Sequence, residues 1–111
     1  MATISNLYVD AGATYSNIIT VTASNGQALN LTGYSVASQM RKSYQSSTAY
    51  DFTASIYDAN NGKIRLQLTD SDSADIPAGR WLYDVEITSA AGTKTRVVEG
   101  IVTVNPQITQ I

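Results

Sequence analysis

Cysteine and histidine are both absent from these 111 residues. Without cysteine no disulfide closes the fold, oxidative folding plays no part, and the redox compartment leaves no trace. Without histidine the commonest general base and the commonest metal ligand are missing together. Charge is sparse: seven basic and nine acidic side chains make up 14% of the chain and net to −2, where globular chains usually carry roughly a quarter. No basic stripe is present to displace counterions from a phosphate backbone, so nucleic-acid binding is not expected. No apolar run approaches membrane-spanning length, and no basic start followed by an apolar stretch reads as a signal peptide. Neither membrane insertion nor signal-directed secretion is therefore expected. A Gly-x-Ser-x-Gly elbow and a glycine-rich phosphate loop are missing too, which sets aside serine nucleophiles and phosphate cradles. Ser, Thr, Asn and Gln take the surface that charge leaves, a composition suited to extended structure and protein contacts.

What is present is a period of two. In Gly79-Arg80-Trp81-Leu82-Tyr83-Asp84-Val85-Glu86-Ile87-Thr88, Trp81, Tyr83, Val85 and Ile87 share one face, and Leu82, Asp84, Glu86 and Thr88 share the other. That is a half-buried strand, and its face carries the only Trp, which must bury against something large. The rest of the chain reads as strands arranged to cover it. Residues 3–9 make a first strand of poor alternation, and 14–24 a second with Ile19, Val21 and Ala23 on one face. Asn25-Gly26 is a strong turn signal, and Leu29 and Leu31 plug one end of the core. Strands follow over 34–42, 50–57 (Phe52, Ala54 and Ile56 inward) and 63–69 (Ile64, Leu66 and Leu68 inward). Residues 43–49 are a polar loop, and 70–78 cross between sheets with at most one helical turn. After Ala90-Ala91-Gly92, residues 93–104 run antiparallel to the Trp81 strand and stop at Asn105-Pro106. The sum is one all-β domain over residues 1–111, an antiparallel β-sandwich of about seven strands with turns every eight to twelve residues. Alternation alone does not choose between a sandwich and a closed barrel.

Three constellations carry potential chemistry. Asp70-Ser71-Asp72-Ser73-Ala74-Asp75 begins like a calcium loop, but the sixth position is Asp75 rather than Gly and the twelfth is Trp81 rather than Glu. The plainer reading is an acidic crossover loop satisfying its own backbone, so no metal or cofactor is expected. Asp84, Glu86 and Glu99 form a second group, on two neighbouring strands. Such carboxylates suit general acid–base work if burial separates their pKa values, and a hydrolase built on them requires a concave site. The plainer reading is a solvated sheet face paired with Arg65, Lys94 or Arg96. With no nucleophile motif beside them, an enzyme is not expected. Third, seven tyrosines are mostly cross-strand partners, but Tyr44 and Tyr50 flank the 43–49 loop and are the best candidates for outward contact, to a protein or a sugar. Ile108 and Ile111 lie in a polar tail and call for docking, and this tail, the N-terminal strand and the 43–49 loop are the candidate contact surfaces. Exposed strand edges need covering, and symmetric assembly is one way to cover them.

Several segments together resemble a small Ig-like β-sandwich domain of tailed-bacteriophage structural proteins, found alone and as the N-terminal module of baseplate upper proteins and fibres. The pattern runs through Leu31-Thr32-Gly33-Tyr34, Met40-Arg41-Lys42 and Gly62-Lys63-Ile64-Arg65-Leu66-Gln67-Leu68-Thr69. It continues in Ile76-Pro77-Ala78-Gly79-Arg80-Trp81-Leu82-Tyr83-Asp84-Val85-Glu86. It closes with Gly92, Thr95-Arg96-Val97-Val98-Glu99-Gly100 and Val102-Thr103-Val104-Asn105-Pro106. The resemblance implies a virion component without enzymatic activity, made in the host cytoplasm and associating with other virion proteins and with copies of itself. It implies that Pro77, Gly79, Trp81, Tyr83, Asp84 and Gly100 determine the fold rather than a reaction. Physical roles are available for them. Pro77 stiffens the approach to the strand and Gly79 permits tight entry. The Tyr83 hydroxyl ties the crossover loop, Asp84 anchors a loop or pairs with an arginine, and Gly100 marks a bulge or a close backbone approach.

Overall fold

The strand expected around Trp81 forms as β7 (Gly79–Thr88), and its two faces separate as the alternation requires. Trp81, Tyr83, Val85 and Ile87 are all at most 4% exposed. The structure is a computed structural model that describes residues 3–23 and 25–106. β7 is central because it has a partner on each side, β4 (Ser35–Arg41) and β8 (Lys94–Asn105), both antiparallel. β4 passes the sheet on to β5 (Ala49–Asp58), and β5 to β6 (Lys63–Leu68) and then β3 (Tyr15–Thr20). β5 divides its length: Ala49 to Phe52 pair with β4, and Thr53 to Asp58 pair with β6. A ten-residue strand shared in this way turns the sheet around the core. The result is a curled, half-barrel sheet.

Two short strands complete it and correct the expected topology. The stretch 3–9 does not form one strand. It splits into β1 (Thr3–Ile4) and β2 (Leu7–Asp10), and both run parallel to β8. The sheet is therefore mixed, not purely antiparallel. The split has a local cause at Ser5 and Asn6. The Ser5 N–H donates to the Glu99 carbonyl, and the Asn6 side-chain oxygen accepts from the Ile101 N–H at 3.1 Å. Those bonds bridge Gly100, where an added Cβ would run into the Ser5 carbonyl oxygen and come within 2.9 Å of the Ser5 carbonyl carbon. Of the two roles expected of Gly100, the close approach is the one found. The bulge falls elsewhere in β8, at Val97, where the register with β7 slips between Val85 and Glu86.

Burial of the inward faces of these strands is the main stabilising term. Leu7 and Val9 from β2, Met40, Phe52, Ile64, Leu66 and Leu68, and Val98, Val102 and Val104 from β8 meet the β7 face. Leu31 caps one end, fully buried, with its N–H on the Ala59 carbonyl. The crossover contains α1 (Asp70–Ala74), a single turn capped by the Thr69 hydroxyl, which accepts from the Asp72 N–H at 3.1 Å. Buried Ser73 holds it: its hydroxyl donates to the Ala13 carbonyl at 2.7 Å and accepts from the Gly12 N–H at 3.0 Å. This pins the crossover to the β2–β3 link.

Candidate functional site

The outward residues of β7 share a surface with those of β4 and β8. Register places Gln39, Asp84 and Glu99 in one row, and Ala37, Glu86 and Arg96 in the next. Arg96 and Glu99 are three apart in a strand, which normally sends them to opposite faces. The bulge at Val97 adds one residue and returns both to the outer face. The Arg96 Nε then lies 3.1 Å from Asp84 Oδ2, and its Nη1 lies 3.9 Å from Glu99 Oε2. Of the three cationic partners expected for these carboxylates, Arg96 is the one in contact. Lys94 pairs in register with Thr88, and Arg65 lies elsewhere on the sheet, 4.4 Å over the Tyr57 ring.

Desolvation raises the Asp84 carboxyl above its ordinary value. The neighbouring charges of Glu86 and Glu99 push the same way, and the Arg96 guanidinium opposes them. The rim comes from the loop after β4. Arg41 reaches over to donate to the Ser46 carbonyl at 2.7 Å and to the Gln39 side-chain oxygen at 3.2 Å, fixing the loop to the sheet. Tyr44 stands on that loop, 76% exposed. Together Arg41, Tyr44, Asp84, Glu86, Arg96 and Glu99 line an open depression of about 270 Å³. It is polar, of mixed charge, with one aromatic ring at its edge. That suits hydrogen bonding to a polar ligand or to a partner surface. Among the described residues no group of three or more acidic side chains is spaced to hold a metal ion.

The remaining expected residues are distributed as follows. Tyr50 turns inward: its ring meets Trp81 edge-on, centroids 5.4 Å apart at 86°. Tyr44 is thus the outward member of the pair. Ile108 and Ile111 lie outside the described residues. Pro77 and Trp81 act together, since the indole N–H donates to the Pro77 carbonyl at 3.0 Å. Gly79 enters β7 at a φ of 129°, which favours glycine. Tyr83 corrects an expectation. Its hydroxyl donates to the Ser5 carbonyl, between β1 and β2, and not to the crossover loop, which Trp81 ties instead. Burial raises the Tyr83 phenol to about 12, so it stays a donor at ordinary pH. Asp70 and Asp72 occupy the first turn of α1, and the Asp70 carboxylate accepts from the Ser71 N–H. Sequence reasoning passed over Ser73, whose only signal was a serine one turn into a Thr-capped segment. The N-terminal strand, expected to offer a contact surface, exposes Ile4 and Tyr8, at 76% and 68%.

No protein-family model and no curated protein matches the chain. Among solved structures it is similar to the N-terminal domain of phage TP901-1 ORF48, with a TM-score of 0.64 and 14% identity over 91% of this chain and 85% of that one. Likeness at that identity is likeness of fold. A structure from a photo-crosslinking study of cell-adhesive VGSC beta subunits aligns at a TM-score of 0.42, with 11% identity over 96% of this chain and 93% of that one. A family 123 glycoside hydrolase from Clostridium perfringens aligns at 0.40, with 9% identity over 97% of this chain and 24% of that one. Both are too loose to carry an argument.

Proposed function

We propose that this chain is a non-enzymatic structural component of a phage virion that acts by protein–protein assembly, in the tail, baseplate, neck or capsid decoration. The observation that carries it is the fold shared with a phage protein's N-terminal domain across nine-tenths of the chain. On this reading the domain is an open, mixed-sheet form of the Ig-like module. Its partners are other virion proteins and copies of itself. A sparsely charged surface, exposed Ile4 and Tyr8 on the N-terminal strands, and a sheet edge uncovered among the described residues all favour work by contact. The test is quantitative mass spectrometry of purified particles, with copy number referred to the major capsid protein. Near-equal abundance assigns a capsid decoration role. A count comparable to ring proteins assigns tail, baseplate or neck. Absence from particles rejects the proposal.

One observation favours a second reading, a carbohydrate- or receptor-binding module. Tyr44 stands exposed at the rim of a polar depression, the arrangement in which a ring stacks on a sugar while carboxylates and guanidinium groups bond its hydroxyls. Glycan-array binding that is lost in Tyr44→Ala would establish it, and a blank array would remove it.

A further inference from the structure

The sheet ends at β3, whose one strand partner among the described residues is β6. Its backbone orientation follows from a single bond. The Val21 N–H donates to the Gly62 carbonyl at 2.8 Å, continuing the register that pairs Thr20 with Lys63. Antiparallel ladders alternate, so Tyr15, Asn17 and Ile19 turn their N–H and C=O groups to β6. Ser16, Ile18 and Thr20 turn theirs outward. All three are exposed, Ile18 to 43%. Natural edges are commonly guarded by a charge, a proline or a bulge. β3 reads Tyr-Ser-Asn-Ile-Ile-Thr, with no charge, no proline and an unbroken register. The opposite edge is different: β1 and β2 are two and four residues long and are interrupted between them.

We propose that β3 is the seam of a two-fold homodimer, in which the β3 strands of two copies pair antiparallel with Ile18 at the centre. This deepens the assembly reading and rests on it. Parity selects the register. Centring on Ile18 sets Ser16 of one copy opposite Thr20 of the other, so every open residue meets an open residue. All outward N–H and C=O groups are used, giving about six hydrogen bonds across the seam. A shift by one residue sets open groups against groups already bonded to β6, and a shift by two uses only about four. The same centre brings Ile18, the exposed apolar side chain of this edge, onto its own counterpart, as an isologous contact requires. Charge does not oppose the pairing. Arg65 is in register with Ile18, and three strand spacings put it about 14 Å from its counterpart, beyond a screening length of about 8 Å.

The absence of cysteine makes the register directly testable. Ile18→Cys is expected to cross-link to itself under mild oxidation. Ser16→Cys alone and Thr20→Cys alone are not, because their counterparts stand about 13 Å away along the seam, against a Cα reach of about 4.4–6.8 Å. An equimolar mixture of those two variants is expected to cross-link. Unmodified chain at millimolar concentration should sediment as a reversible dimer. Ile18→Lys, which sets like charges face to face, should abolish the dimer while keeping its circular dichroism spectrum, and Tyr8→Lys at the far edge should not. A monomer at every concentration overturns the proposal. So does a folded Ile18→Lys that dimerises as before, or Ser16→Cys alone linking as readily as Ile18→Cys. These measurements use purified protein, so they fail separately from the particle count. A monomeric chain found in particles removes the seam alone, and a register-true dimer missing from particles removes the virion role alone.

Discussion

Gly100 shows how a single missing side chain shapes this molecule. An alanine there would press on the Ser5 backbone and lie 3.0 Å from the Asn6 side-chain oxygen. Backbone cannot swing aside as a lysine tip does. Gly100→Ala should therefore cost about 1–3 kcal/mol, the usual range for overpacking, read as a lower melting temperature. Tyr83→Phe should cost about 1 kcal/mol, because it strips a hydrogen bond from the Ser5 carbonyl without changing ring packing. Amide exchange should then speed up at β1 before it does in β7. Asp84 makes a prediction of opposite sign. Its folded pKa is raised, so the protonated acid is favoured in the native state. The contribution of this group to stability is full below the unfolded carboxyl value of 3.8 and is lost as pH rises through the higher folded value. Asp84→Asn should accordingly raise the melting temperature at neutral pH. That gain should vanish as pH falls past the ordinary carboxyl range, and a gain that persists in acid would contradict the assignment.

At the scale of elements, Ser73→Ala is the sharpest probe of the crossover. It leaves the Gly12 N–H and the Ala13 carbonyl without the partner that joined them to α1. A cost of about 1–3 kcal/mol is expected, measured by denaturant midpoint with the slope unchanged. β7 was legible from sequence because a half-buried strand writes its two faces into alternate residues. The same holds for β6, where Ile64, Leu66 and Leu68 are buried as the pattern requires. The depression was only half legible. Asp84 and Glu86 share a face by simple alternation, but Arg96 and Glu99 join them only through the bulge at Val97. Nothing in the composition of Arg-Val-Val-Glu announces that extra residue. The exchange of roles between Trp81 and Tyr83 has a similar origin. Both face inward, and which of their polar tips reaches which carbonyl is decided by how the sheet curls, not by the strand that carries them.

For the whole molecule, the parallel edge was the feature least accessible to sequence. Leu7 and Val9 bury alternately whichever way their neighbour runs, so the pattern of β2 is silent on direction. Direction shows only in pairing across nearly the full chain, where Leu7 to Asp10 align with Val102 to Asn105 and Asn105 donates to the Asp10 carboxylate from 95 positions away. Domains dominated by such distant pairings fold slowly, on the order of milliseconds to seconds. The pairing also imposes an order on synthesis. Residues 3–10 are made well before residues 98–105 and lack their strand partner until those have been made. A ribosome pausing in that interval holds a growing protein with an unsealed apolar flank, open to whatever chaperone or sister chain is nearest. Of the described strands β8 is made after all the others, and it is the clasp that shuts this flank.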